Sequence, residues 1–243
     1  MQPVFYDLHI HSALSPCAND DMTPNDIVGM AILNGLDMIA ITDHNTLSNV
    51  EPVMAAANAA KSKTGIELIV IPGIEVSTAE EVHVVCLFSD IVSANNFEKD
   101  LKPYFSTLKN RVDIFGHQFL FNENDNIIGE EERMLISPST ITFDELHSLT
   151  KKHNGAFIPA HIDRDSFSVI SNLGFLPPHL EINTIEVSAR GVENDFVKIN
   201  ANRYFDKKMV FSSDAHQLWN INERENSLLL PERCARALID YLR

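Results

Sequence analysis

Basic residues are scarce in this chain: 19 Lys and Arg stand against 34 Asp and Glu, a formal net charge of −15 at pH 7. Non-specific attraction to nucleic acid depends on Lys and Arg neutralising phosphates, so the balance argues against nucleic acid as a partner. Cysteine is equally thin. Cys17, Cys86 and Cys234 are odd in number, widely spaced and without a Cys-x-x-Cys pair. That excludes a disulfide framework and a structural zinc knot, and makes a reducing cytoplasm the expected compartment. No run approaches the roughly 18 apolar residues of a membrane span, and MQPVFYDLHIH lacks a basic region followed by an apolar stretch. Neither a membrane partner nor a secretion signal is therefore expected. Internal repeats, low-complexity stretches and linkers are missing too. With 44% hydrophobic residues over 243 positions, a single large α/β domain spanning 1–243 is expected. Nothing in the composition bears on oligomeric state.

What is present is an alternation of short apolar runs with helix-forming stretches. After the run Val4 to Ile10, Thr23-Pro24 predicts a capped helix that stops at Asn34-Gly35. Strand Met38 to Thr42 is followed by an Ala-rich helix from about Asn49 to Lys63, ended by Gly65. Strand Glu67 to Ile71 is expected to break at Pro72-Gly73, ahead of strand Val82 to Phe88 and a helix around Phe97 to Leu108. Residues 112–140 interrupt the alternation. There Phe119 to Phe121, the polar turn Asn122 to Asn126 and Ile127 to Gly129 predict a hairpin inserted over one end of the scaffold. Alternation resumes with helix Thr142 to His153 and strands Ala156 to Pro159 and Ile185 to Ser188. A helix around Asp195 to Asn202, strand Met209 to Ser212 and a closing helix Pro231 to Leu242 complete the pattern.

The apolar runs end in metal-binding residue types. His9 and His11 are two apart at a strand end, so both imidazoles share one face. Later runs finish similarly, with Asp43 and His44, with Glu75, with His161, and with Asp214 and His216, while His83 lies inside its run. Donors carried at the C-terminal ends of separate strands describe an α/β barrel or sheet with its active site at that face. Imidazole and carboxylate together suit zinc, manganese or iron. His9, His11, His44, Glu75, His83, His161, Asp214 and His216 outnumber the roughly six ligands one such ion takes. Two or three divalent ions are expected, with Glu75 as the bridge because a carboxylate has two oxygens. A further ligand is expected among Asn19, Asp20 and Asp21, with Asp20 favoured. Arg164 is the first candidate to hold a phosphate oxygen and Arg190 the second, and Asp43 is placed to orient a ligand imidazole. Cys17 reads as a small loop residue; His117, His147, His153 and His179 read as surface or structural.

In DLHIH, ITDHN, GIEVS, EVHV, PAHIDR and SSDAH, in that order over residues 1–216, the chain resembles the PHP (polymerase and histidinol phosphatase) family of metal-dependent phosphoesterases. The resemblance implies a distorted (β/α)7 barrel with up to three ions at its C-terminal face. It carries ligand roles onto His9, His11, Asp20, His44, Glu75, His83, His161, Asp214 and His216. The chain departs from the family in the loop LSPCANDD, longer than the compact Ser-Asp-Gly version. The expected activity is hydrolysis of a small phosphorylated substrate, a phosphomonoester or phosphodiester, by hydroxide generated at the ions, with His9, His11, His44, Glu75, Asp214 and His216 as the catalytic set. Two other classes compete: a metal-binding regulatory or interaction module with vestigial activity, and an amidohydrolase-type enzyme. The latter also opens with His-x-His but often has a carboxylated Lys where Glu75 stands, and no Lys ends a strand here.

Overall fold

The apolar run at the start of the chain becomes strand β1 (Gln2–Ile10) in a computed structural model that describes residues 1–243. It is followed by α1 (Pro24–Leu33), β2 (Met38–Ile41), α2 (Val50–Thr64), β3 (Ile69–Ser77), β4 (His83–Leu87) and α3 (Ile91–Leu101). The middle of the chain holds α4 (Val112–Phe115), β5 (Phe119–Phe121), β6 (Ile127–Glu130), α5 (Phe143–Lys152) and β7 (Ala156–Pro159). The last third contains α6 (Val169–Leu173), β8 (Thr184–Glu186), α7 (Ala189–Glu193), α8 (Phe196–Ile199), β9 (Lys208–Val210), β10 (Ser227–Leu230) and α9 (Ala235–Leu242).

Six strands form one curled sheet in the order β10-β1-β2-β3-β4-β7, and β8 pairs with β9 beyond it. The neighbours β1, β2 and β3 run parallel, whereas β4 runs antiparallel to both β3 and β7. Closure comes from the strand ends. Ile162 N–H donates to the Glu186 carbonyl at 2.9 Å, and the segment after β9 returns to β1 through His11 N–H to the Ala215 carbonyl at 2.9 Å. The ring β1-β2-β3-β4-β7-β8-β9 is the distorted α/β barrel that the family resemblance implies, with β4 reversed.

Its strands read as unbroken apolar runs because both faces are covered. In β2, Ile39 and Ile41 pack into a larger core with the α1 and α2 residues Ile27, Ala31 and Val53, while Met38 and Ala40 face a smaller core closed by Leu238, Ile239 and Leu242 of α9. Local signals set the boundaries. The Thr23 hydroxyl accepts from Asp26 N–H at the start of α1, and Gly65 at φ +76° ends α2 in the left-handed conformation that favours glycine.

Several boundaries differ from expectation. Strand β3 continues through Pro72-Gly73 to Ser77. Pro72 still offers its carbonyl to Phe88 N–H at 2.9 Å, and Gly73 lies where neighbouring strands press close. A Cβ there would stand 2.7 Å from Leu87 Cδ2 and 2.9 Å from Thr42 Cγ2. Gly73→Ala is therefore expected to cost about 1–3 kcal/mol by overpacking, read as a lower urea midpoint; an unchanged midpoint would contradict the close packing. Helix α3 starts early, at Ile91, because Asp90 accepts from Ser93 N–H at 2.8 Å. The predicted helix Asp195 to Asn202 shrinks to the four residues of α8, preceded by α7. Strand β10 was not anticipated; it adds antiparallel to β1 and leaves only Ala235 to Leu242 helical in the predicted closing helix. The hairpin β5–β6 forms where expected. Phe119 N–H donates to the Ala13 carbonyl at 3.0 Å, and the Asn49 side chain bonds Phe119 O and Phe121 N–H at 3.0 and 3.1 Å, tying the hairpin to the loop after β1 and the start of α2. No helix is long and apolar enough to cross a membrane.

Candidate metal centre

The strand directions explain how donors spread over two hundred positions reach one place. His9 and His11 lie at the end of β1, His44 follows β2, Glu75 lies in β3, His161 follows β7, and Asp214 and His216 follow β9. His83 is not inside its strand but opens β4. Since β4 is antiparallel to β3, with Ser77 opposite His83, its first residue stands at the same end as the last residues of β3. Glu75 is in the middle. Its Oε1 is 2.9 Å from His83 Nδ1 and 3.3 Å from both His9 Nε2 and His161 Nε2; its Oε2 is 2.9 Å from His44 Nδ1 and 3.4 Å from His11 Nε2. The His11 and His216 rings stack with centroids 4.3 Å apart. His161 at φ +30° and Asp214 at φ +52° hold left-handed backbone that non-glycine residues seldom adopt, and such strain concentrates at functional sites.

Hydrogen bonds fix which ring nitrogens face inward. His9 Nδ1 donates to the Glu186 carboxylate at 3.0 Å. Ser15 Oγ donates to Asp43 Oδ1 at 2.7 Å and so accepts from His11 Nδ1 at 3.0 Å. Asp43 thus orients His11 through a serine, not its neighbour His44. With both Nδ1 atoms donating, the Nε2 lone pairs of His9 and His11 face each other at 3.1 Å. Asp214 Oδ1 lies 3.0 Å from the second and 3.3 Å from the first. Two buried lone pairs at that distance repel unless a cation, a proton or a metal ion, stands between them. Two imidazoles on one zinc ion, each at about 2.0–2.1 Å and near the tetrahedral angle, place their nitrogens ~3.3 Å apart, so the geometry fits a shared ion.

Burial alone would lower the pKa of His9, but the carboxylates of Glu186, Asp214 and Glu75 outweigh it and hold it well above the ordinary value. A field that retains a proton there also attracts a metal ion. Burial would raise Glu75, yet His83, His9 and His44 outweigh it and keep the carboxyl well below its usual range. A second fit is independent of the first. His44 Nδ1 and Glu75 Oε2 are 2.9 Å apart and buried, yet neither has a hydrogen-bond partner, which is costly unless an ion satisfies both. Three groups have donors close enough to share an ion: His9, His11 and Asp214; His44, Glu75 and His83; and His11, His44 and His216.

Glu186 was missed in the sequence, although a signal was there. The string Ile-Glu-Val-Ser that presents Glu75 recurs at 185–188. Besides His9, Glu186 accepts from His161 N–H at 3.1 Å, so one carboxylate braces two candidate ligands. Glu186→Gln is expected to weaken metal affinity about 10–100-fold, measured by competition with a chromophoric chelator; an unchanged affinity would remove Glu186 from this role.

Other expected residues lie elsewhere. Asp20 and Asp21 are exposed and belong to none of the three groups. The long loop instead brings Cys17 to the site, with Sγ 3.1 Å from His216 Nε2. Arg164 does not pair with the adjacent Asp163 or Asp165: its Nη1 is 2.6 Å from Asp214 Oδ2. Arg164 and Arg190 both line a cavity of about 510 Å³ with Asp163, Ser166 and Asn194. His117, His147, His153 and His179 bond Glu130, the Glu181 carbonyl, Asp100 and Asp144 respectively, none of them a residue of the centre.

A family model described as the PHP domain matches residues 7–164. The chain is 37% identical over 91 residues to the 5'-3' exoribonuclease Rnm of Escherichia coli, a stretch covering 36% of this chain and 29% of that relative. Its fold is similar to that of a lesion-specific endonuclease, PfuEndoQ, from Pyrococcus furiosus, with a TM-score of 0.69 and 19% identity over 99% of this chain and 56% of the other. A structure of Endonuclease Q in complex with a 27-mer duplex carrying an abasic lesion aligns with a TM-score of 0.66 and 18% identity, over 99% of this chain and 56% of that one. The expectation against nucleic acid is corrected by these relatives. Net charge sums acidic groups over the whole surface, whereas a phosphodiester meets only its site, where bound cations and Arg side chains set the local charge.

Proposed function

This chain belongs to the PHP domain family, and from that premise we propose that it is a metal-dependent hydrolase of phosphodiester bonds in nucleic acid. The observation that carries the proposal is the facing pair of Nε2 atoms on His9 and His11, 3.1 Å apart with Asp214 beside them. The relatives named as an exoribonuclease and an endonuclease support nucleic acid as the substrate class.

In this scheme His9, His11 and Asp214 hold one divalent ion, His44, Glu75 and His83 a second with His161 alongside, and His11, His44 and His216 a third. Such ions polarise phosphoryl oxygens and make water available as a nucleophile at neutral pH. The chain does the rest. Glu186, and Asp43 through Ser15, keep ring N–H groups pointed away from the centre, so that unprotonated nitrogens face it. Arg164 and Arg190 bind phosphate oxygens of the strand lying in the cavity they share, Arg164 as a fork able to take two oxygens. The β5–β6 hairpin, anchored through Asn49, steadies the loop after His11.

The test uses 5'-phosphorylated RNA and DNA oligonucleotides, single-stranded and duplex, with the purified chain loaded with manganese or zinc. Shortened products that vanish with chelator and with His9→Ala are expected. Arg164→Ala is expected to slow cleavage about 10–100-fold, the loss of a charge-assisted hydrogen bond of about 1.5–3 kcal/mol. If the loaded chain leaves all oligonucleotides intact, or cleaves only amides, the proposal fails.

A further inference from the structure

We propose that the Cys17 thiolate is a ligand of the third ion site, beside His11, His44 and His216, and that it makes this site selective for a soft or borderline ion such as zinc over manganese. The inference rests on the metal-centre proposal above and adds a residue and a metal preference to it.

Cys17 belongs to the long loop that departs from the compact family version, and the loop is held in place near the centre. Asn19 N–H donates to the His216 carbonyl at 2.9 Å, and Ala18 N–H closes a turn onto the Ser15 carbonyl at 2.9 Å. Cys17 Sγ is thereby set 3.1 Å from His216 Nε2. His216 Nδ1 donates to the Asp214 carbonyl at 2.8 Å, so the lone pair facing sulfur is on Nε2. Asp20 and Asp21 of the same loop are exposed, as Cys17 is, but of the three only Cys17 contacts a residue of the donor groups.

A second feature points to a ligand here. His44, 7% exposed, has a buried Nδ1 with no hydrogen-bond partner. His44 belongs to both the His11–His44–His216 and the His44–Glu75–His83 groups, so the third site, whose His216 Cys17 contacts, shares a ligand with the second. Ligation replaces the S–H proton with a metal–sulfur bond and releases that proton to solvent. Thiolate favours zinc or iron over manganese or magnesium.

Cobalt(II) provides a readout independent of hydrolysis. The full chain is stripped with chelator and titrated with cobalt(II) while visible and near-ultraviolet spectra are recorded. A thiolate-to-cobalt charge-transfer band is expected in the wild type, absent in Cys17→Ser and in Cys17→Asp. Cys17→Asp, which restores an anionic donor, is expected to keep the wild-type cobalt stoichiometry. Visible cobalt bands in the wild type without charge transfer, or a charge-transfer band surviving in Cys17→Ser, would overturn the role of Cys17 alone. If no cobalt binds at all, the whole centre falls, and this inference with it.

Discussion

Glu75→Gln is expected to reduce phosphodiester hydrolysis by about a thousandfold or more, the largest loss of any single substitution in the chain. Its carboxylate lies within 3.4 Å of imidazole nitrogens from His9, His11, His44, His83 and His161. No other side chain touches so many candidate ligands. Gln keeps the volume but replaces one acceptor oxygen with an NH₂ group aimed at unprotonated nitrogens and removes the negative charge that holds cations. Ions contribute several kcal/mol of transition-state stabilisation, and each 1.36 kcal/mol is tenfold in rate, so losing the bridge should exceed the effect of Arg164→Ala or Glu186→Gln. The measurement is kcat/KM on an oligonucleotide, with circular dichroism to establish that the variant is folded. A folded Glu75→Gln protein within about tenfold of wild type would contradict a bridging role.

The second large effect is on stability. A folded chain without ions keeps the side chains of His9, His11, Asp214 and Glu75 packed against one another, with His9, His11 and Glu75 buried and the Asp214 side chain 8% exposed. The unfolded chain loses nothing by being metal-free, so ions that bind only the folded form stabilise it by mass action. At free ion about a thousand times Kd, one site contributes about 4 kcal/mol. In a domain of this size each kcal/mol moves Tm by roughly 2–4 °C, and chelation is therefore expected to lower Tm by roughly 8–16 °C per tightly held ion. Scanning calorimetry with and without chelator measures it. Zinc or manganese should restore the transition and magnesium should not, because nitrogen donors dominate the set. A Tm that ignores chelator would mean the donors are packed together without binding ions.

The barrel and most of the donor set were legible because both have short-range signatures. An apolar run of strand length followed by His, Asp or Glu is visible in one dimension, and β1, β2 and β7 carry it without disguise. His83 was harder because strand direction is a tertiary property: a histidine at the start of a run reaches the site only if that strand is reversed. Glu186 was overlooked because it binds no substrate in the obvious reading; its partner is an imidazole 177 positions away, and only the recurrence of Ile-Glu-Val-Ser hinted at it. Pro72-Gly73 looked like a strand end because the usual penalties of proline and glycine are local, whereas what keeps β3 intact is packing against Leu87 and Thr42. The loop after His11 misled in another way. Charge drew attention to Asp20, but the path of the chain sets Cys17 beside His216 instead. The inference against nucleic acid failed because net charge has no spatial resolution.

The most direct measurement is an anomalous difference map from a crystal of the zinc-loaded chain, recorded on both sides of the zinc edge. A peak within bonding distance of both His9 Nε2 and His11 Nε2, with Asp214 as a further ligand, is the predicted result. A map with no peak between those two nitrogens, in a crystal where zinc is visible elsewhere or absent altogether, would contradict the metal centre.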